Sequence, residues 1–415
     1  MSSKKQPAGN EFPLHAPRAG WPGVQSVKTK PCLWSARLAL SLVVMIAPLL
    51  AYAEVTWIRA PDEGIQPQTA VDSTGIVHLI FFKGNQGGGD IFYARRDPGR
   101  EGFSSPMRVN HQPASAIATG TIRGAHLAVG KRGRVHVSWM GGSGATRAQL
   151  DGKEITPMLY SRLNDAGTAF ESERNLITSA AGLDGGGSVA ADAEGNVYVA
   201  WHASAPGNER DEAGRAVFVA RSRDEGRTFE REVCANPKPT GACGCCGMRA
   251  FADSNGTLYL AYRAANEISR DMTLLVSRDR GARFEMTTLN KWLIKGCPMS
   301  SCSFAEGRMG VLAATEKSEQ VCFNIIDPTT LTLSKPVPAS GGGKSKHPTL
   351  AANTKGEVLL AWTEGTAWQK GGALAWQVFD KTGTPTAEKG RTDGVPVWSL
   401  PSAYCQPDGR FVIVY

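Results

Sequence analysis

Seven times along this 415-residue chain, a short strand of small and apolar residues enters a polar turn containing glycine and returns as a strand with an aromatic tip. The clearest copy starts at Gly186, carries Ser188-Val189-Ala190-Ala191-Asp192, turns at Glu194-Gly195 and returns as Asn196-Val197-Tyr198-Val199-Ala200-Trp201. The turn glycines Gly75, Gly133, Gly195, Gly256, Gly307, Gly356 and Gly409 are separated by 58, 62, 61, 51, 49 and 53 residues. Six residues beyond them stand Phe81, Trp139, Trp201, Tyr262, Ala313, Trp362 and Tyr415, so only the fifth copy lacks the aromatic. A lone hairpin cannot bury its apolar face, whereas strand repeats with a period near 50 can do so by stacking. The pattern predicts an all-β fold, a β-propeller.

The two ends of the pattern complement each other. Glu54 to Arg59 reads as a single strand before the first hairpin, and Phe411 to Tyr415 ends the last hairpin without a third strand. Pairing the two would close the ring and remove its open sheet edges. One domain over 54–415 is expected, with seven repeats forming either seven blades or six blades and an accessory hairpin. Forty-seven glycines and 24 prolines suit the many turns this requires.

Residues 1–53 lie outside the repeat. Lys28, Lys30 and Arg37 precede an apolar run from Leu38 to Leu50, which ends in Ala51-Tyr52-Ala53. A basic segment, a short apolar segment and a small-residue site make a signal peptide, with cleavage expected near Ala53 and a periplasmic or secreted product. The run is shorter than the roughly 20 residues of a membrane span, so membrane attachment is expected only if the leader is retained. Without the leader, 40 basic residues face 37 acidic ones and the formal charge falls from +8 to +3. The basic balance therefore belongs mostly to the leader and gives no reason to expect nucleic acid. A monomer is expected.

A second turn recurs after the third strand of several repeats. It reads Ser222-Arg223-Asp224-Glu225-Gly226-Arg227-Thr228-Phe229 and Ser277-Arg278-Asp279-Arg280-Gly281-Ala282-Arg283-Phe284, with a looser copy at Asn164-Asp165-Ala166-Gly167-Thr168-Ala169-Phe170. The aspartate accepts backbone N–H groups across the turn, glycine takes the positive-φ position and the aromatic tucks beneath. Asp165, Asp224 and Asp279 are thus assigned a structural role. The motif resembles the Asp-box, or bacterial neuraminidase repeat, of the sialidase-like propellers.

That resemblance implies a glycan or glycoprotein partner and an exo-glycosidase site. Such a site would have three arginines clamping a carboxylate, an Asp acid/base and a Tyr nucleophile activated by Glu. The family places its first arginine in an R-I-P motif before the first hairpin; here Asp62-Glu63-Gly64-Ile65-Gln66-Pro67-Gln68 contains none. The catalytic candidates are Arg249, Tyr404 near the family's nucleophile position, and Glu364 as its base. Arg123, Arg263 and His347 are candidates for binding ligand. The alternatives are ion-paired arginines, a packed core tyrosine and a surface glutamate.

Cysteine usage is more distinctive. All eight cysteines beyond the leader lie between Cys234 and Cys405, and five form two close groups: Cys243, Cys245 and Cys246, then Cys297 and Cys302. Cys246 and Cys297 each lie ten residues before the aligned glycines Gly256 and Gly307, which predicts that they meet on one rim of the channel. An even number of cysteines in an exported chain predicts disulfides stapling these loops. The alternatives are a redox pair or a thiolate site for copper or zinc, with Met248, Met299 and His347 as accessory ligands. No phosphate-binding loop, dinucleotide fingerprint, H-E-x-x-H or G-x-S-x-G motif is present. Two functional classes therefore stand: a glycan-active propeller, and a non-catalytic scaffold with a structural or metal-binding cysteine cluster.

Overall fold

The computed structural model describes residues 52–204, 211–341 and 343–415. Nearly all of the leader assigned to 1–53 lies outside these residues. The described residues form seven radial sheets, with a small side hairpin at Ala148–Leu150 and Lys153–Ile155. In chain order, the inner strands of the blades are Ile65–Val71, His126–Val129, Gly187–Ala191, Arg249–Ala252, Ser303–Gly307, Ser345–Ala352 and Ser402–Cys405. The first six blades each have four antiparallel strands. The seventh has three, and its outer member is Val55–Ile58, paired in parallel with Phe411–Val414. The ring thus closes as the two ends of the pattern predict, and the count is seven.

Packing between blades follows from the aromatic position. Trp201 sits with Met158 and Tyr160 of the preceding blade, Tyr262 with Tyr198 and Val219, and Trp362 with Leu312 and Phe323. Each is essentially inaccessible to solvent. Burying a ring of this size contributes about 4–6 kcal/mol of transfer free energy, so each aromatic fastens one blade to its neighbour.

The fifth hairpin departs from the sequence alignment. Gly307 is a strand residue paired with Gly310, and the turn between them has only two residues. Gly310, at φ +127°, is the counterpart of the other turn glycines. The hairpin is one residue shorter than the rest, which places Thr315 rather than Ala313 at the aromatic position. Its hydroxyl accepts a 2.8 Å hydrogen bond from Asn290, so a satisfied polar pair replaces the missing ring.

With that correction, one residue lies seven positions before each turn glycine: Gln68, His126, Ser188, Arg249, Ser303, Thr349 and Ser402. Each stands at the same register of its inner strand, opposite Ile80, Ser138, Ala200, Ala261, Ala314, Ala361 and Val414. All seven are polar. Four of them link blades by accepting a backbone N–H from the next inner strand: Ser188 from Ala250, Ser303 from Leu350, Thr349 from Ala403 and Ser402 from Thr69.

The peripheral turns behave as Asp-box turns locally. Asp224 accepts from the Thr228 N–H at 2.9 Å and from its hydroxyl at 2.7 Å, and Asp279 accepts from the Ala282 and Arg283 N–H groups. In the second blade Asn164, not Asp165, accepts the Thr168 N–H. Asp165 points outward and gathers Arg134, Arg162 and Arg227, because the threonine of this copy directly follows Gly167 and its N–H reaches back to Asn164 instead.

Candidate metal centre

The loops entering the fourth and fifth inner strands bring four thiols together. Cys243 Sγ lies 3.8 Å from Cys245 Sγ and 3.6 Å from Cys297 Sγ, and Cys246 Sγ lies 3.8 Å from Cys297 Sγ. The Cys243, Cys245 and Cys297 sulfurs all lie within 4.8 Å of one another and could hold a metal ion. Cys243 and Cys246 are fully buried, whereas Cys245 and Cys297 are partly open to solvent.

Backbone bonds fix the two loops. The Cys243 N–H donates to Arg263 O at 2.9 Å, the Gly247 N–H donates to Ser300 O at 2.9 Å, and the Gly244 N–H donates to the Glu212 carboxylate at 3.0 Å. The Met299 N–H points at Cys297 Sγ from 3.3 Å, an arrangement that stabilises a thiolate. Hydrogen bonds from Cys243 and Cys297 hold Cys245 down to about 3, and the bonds that Cys243 makes to its three neighbours push it up. The cluster therefore has thiolate character unevenly shared among its members.

All eight cysteines among the described residues are free, and the expected disulfides are not formed in this structure. The four clustered sulfurs sit at contact distance, well beyond the bond length of about 2.05 Å. The other four are scattered. Cys302 is buried along its inner strand, its sulfur against Gly247 O and Ala261 O, and is not part of the cluster. Cys322 faces Thr315, Cys405 faces Gln406 O, and Cys234 lies on the outer edge of the third blade.

The remaining sequence candidates occupy separate places. Arg123 is paired with Asp184 at 2.8 Å. Arg263 is wholly buried, donating to Arg270 O and Glu316 O and lying 5.1 Å from the Trp292 ring centre, so it braces the fourth blade against the fifth. His347 is buried beside Ser301, and burial, then Lys346, pulls its imidazole down to about 3, leaving it neutral. Lys346 donates to Pro298 O at 2.5 Å, which ties the sixth blade to the Cys297 loop. Tyr404 is packed between the seventh and first blades beneath Arg96, and burial pushes its phenol up to about 12. Glu364 accepts from the Trp362 indole and pairs with Arg391. Arg249 lines the channel and donates to Gln68 and His126.

Two residues near the thiols escaped the sequence reading. His202 and Glu316, like Arg263, directly follow the aromatic position in consecutive blades, and all three are fully buried. Neither ring nitrogen of His202 has a hydrogen-bond partner. Burial pushes Glu316 up to about 7, against the pull of Ser300, Lys346 and Arg263. The repeat itself held the signal, since three adjacent copies place an ionisable residue where apolar ones would pack.

A second feature stands at the channel mouth. Trp368 is 51% exposed and meets Trp398 edge to face, with ring centres 4.5 Å apart, beside Met299, Lys346 and Lys370.

No family model and no curated protein sequence matches the chain. Among solved structures, it resembles the NanB sialidase of Streptococcus pneumoniae, with TM-score 0.51 and 9% identity over 82% of this chain and 70% of that one. It also resembles a protein of unknown function from Dyadobacter fermentans, with TM-score 0.50 and 14% identity over 75% of this chain and 94% of that one. At these identities the likeness concerns the fold, which is the sialidase-like seven-bladed propeller.

Proposed function

We propose that this is an exported propeller that binds a soft closed-shell cation, copper(I) or zinc, through Cys243, Cys245 and Cys297, with Cys246 as a fourth thiolate. The observation that carries this reading is the sulfur spacing. Metal–sulfur bonds of about 2.3 Å in a tetrahedral site place the sulfurs roughly 3.8 Å apart, and the three measured contacts are 3.6 to 3.8 Å. Thiolates favour these metals over magnesium or calcium. Because the ligands come from the entry loops of two blades, the ion would also fasten the fourth blade to the fifth. Glu212, restrained by Arg215 and Arg270, holds the Gly244 N–H and so sets the direction of the first loop.

The test is metal analysis and competition titration of the mature protein, prepared reduced and without oxygen. About one equivalent of copper(I) or zinc, lost in Cys297→Ser, supports the reading. Four freely titrating thiols at saturating concentrations of both metals would sink it.

A second reading rests on the tryptophan pair at the mouth. Exposed Trp368, flanked by Lys346 and Lys370, is a surface on which a sugar ring can stack, and the fold is shared with a protein named as a sialidase. Under this reading the protein binds a glycan at the channel mouth. Tyr404 is packed in the core and Glu364 is paired with Arg391, so binding rather than hydrolysis is the form proposed. Quenching of tryptophan fluorescence by an oligosaccharide, lost in Trp368→Ala, would support it; an unchanged spectrum across a broad glycan panel would remove it.

A further inference from the structure

Arg249 lies within the ring of blades, half-buried, and its side chain lines the axial cavity. One terminal nitrogen is occupied, donating to Gln68 Oε1 at 2.5 Å and reaching His126 Nδ1 at 3.3 Å. Its Nε and other terminal nitrogen make no hydrogen bond, and no carboxylate lies within ion-pair distance among the described residues. None of the residues lining the cavity is acidic. Nor does a neighbour supply the balancing charge: burial, then Arg249 itself, keeps His126 neutral, and burial pushes the Cys302 thiol up to about 12. A guanidinium drawn part-way out of water without a carboxylate partner favours an anion beside it.

Three side chains beside it can donate, although Gln66 Oε1, an acceptor without a partner, also lines the cavity. Ser303 and Thr349 each spend an oxygen lone pair on the backbone N–H of the next blade, which leaves their hydroxyl protons for the cavity. His126 takes the Arg249 N–H and the Ser188 hydroxyl on Nδ1, so its proton is on Nε2, where no protein acceptor meets it. The cavity beside it holds about 30 Å³, enough for a water molecule or two or a single small ion.

We infer that the centre of the channel is a binding site for a small inorganic anion of chloride size, held by Arg249 with Ser303, Thr349 and His126 as hydrogen-bond donors. The site lies deeper in the channel than the thiol cluster and makes no use of it. Its assignment therefore stands or falls separately from metal binding.

The experiment is crystallography of the intact protein in sodium bromide, recorded at the bromine absorption edge, beside thermal unfolding in sodium chloride and in sodium gluconate at equal ionic strength. An anomalous peak in contact with the Arg249 guanidinium is expected, together with a midpoint roughly 2–4 °C higher in chloride at saturation. Arg249→Gln should lose both the peak and the chloride effect, and Arg249→Lys should recover part of each. Bromide peaks on the protein surface alone, or equal midpoints in the two salts for the wild-type protein, would overturn the assignment. The diffraction result uses the wild-type chain, so it stands even if Arg249→Gln fails to fold.

Discussion

The two ends of the inner hairpins were built under different rules. At the turn end the same solution recurs: Asp72, Asp192, Asp253 and Asn353, each three residues before its glycine, accept two backbone N–H groups through one side-chain oxygen. A second side chain steadies the aspartate from the returning strand: His78 for Asp72, Tyr198 for Asp192 and Tyr259 for Asp253. At the entry end, seven equivalent positions carry five residue types, and the loops leading into them share no motif. Repetition, here in four of the seven blades, marks what the fold needs. Divergence at equal register marks where individual blades have been put to a particular use, and the thiols and Arg249 both lie at that end.

This contrast can be broken by substitution. The largest effect should come from the shared interior: Trp201→Ala is expected to cost about 3–5 kcal/mol, read as a lower urea midpoint with the slope unchanged. Next comes Cys297→Ser, which should weaken copper(I) or zinc binding by about a hundredfold or more while leaving the urea midpoint of metal-free protein near that of the parent. A drop in metal-free stability as large as that of Trp201→Ala would mean that the entry loops serve the fold after all. Asp253→Ala, at a turn, is expected to cost about 1–2 kcal/mol and to leave metal affinity unchanged, the mirror image of the cysteine variant.

The turn end also carries a pH signature. His136 is buried at 2.7 Å from the Tyr160 hydroxyl, and burial, followed by Arg134 and Arg162, draws its imidazole from the ordinary 6.5 down to about 3. The unfolded chain takes up this proton first. The contribution is therefore complete above pH 6.5 and is lost as the pH falls toward 3. Stability measured across that window should fall with acid, and His136→Gln should flatten the slope by up to one proton's worth. An unaltered slope would show that the ring is already charged in the folded state.

Much of the architecture could be read directly because propeller packing repeats its demands. The turn glycines, the aromatic tips and the unmatched strand at Glu54 to Arg59 each express a steric or edge-pairing need. The fifth hairpin was misaligned by three residues because Gly307 and Gly310 are both available and no aromatic marks the phase. The same offset changes which cysteines are equivalent. Measured from the true register residues Arg249 and Ser303, Cys297 matches Cys243, six positions before each, whereas Cys246 matches Ser300. The sulfurs do converge, but because adjacent loops descend side by side, not because Cys246 and Cys297 are equivalent. The disulfide expectation came from counting cysteines, and a count has no information about sulfur separation. The anion cradle was hidden for a related reason: Ser303, Thr349 and His126 look unremarkable in sequence, and they gain meaning only when the ring places them beside one guanidinium.

The parallel pairing of Val55–Ile58 with Phe411–Val414 has a temporal consequence. These strands pair Val55 with Phe411, 411 − 55 = 356 positions apart and nearly the full length of the propeller, so the first strand of the ring is matched only by its last. Six blades can assemble without this pairing, but the ring cannot lock until both of these strands are available. Until then both rims of the gap present unpaired backbone, and ring closure should be the slow step and the one most exposed to intermolecular misassembly.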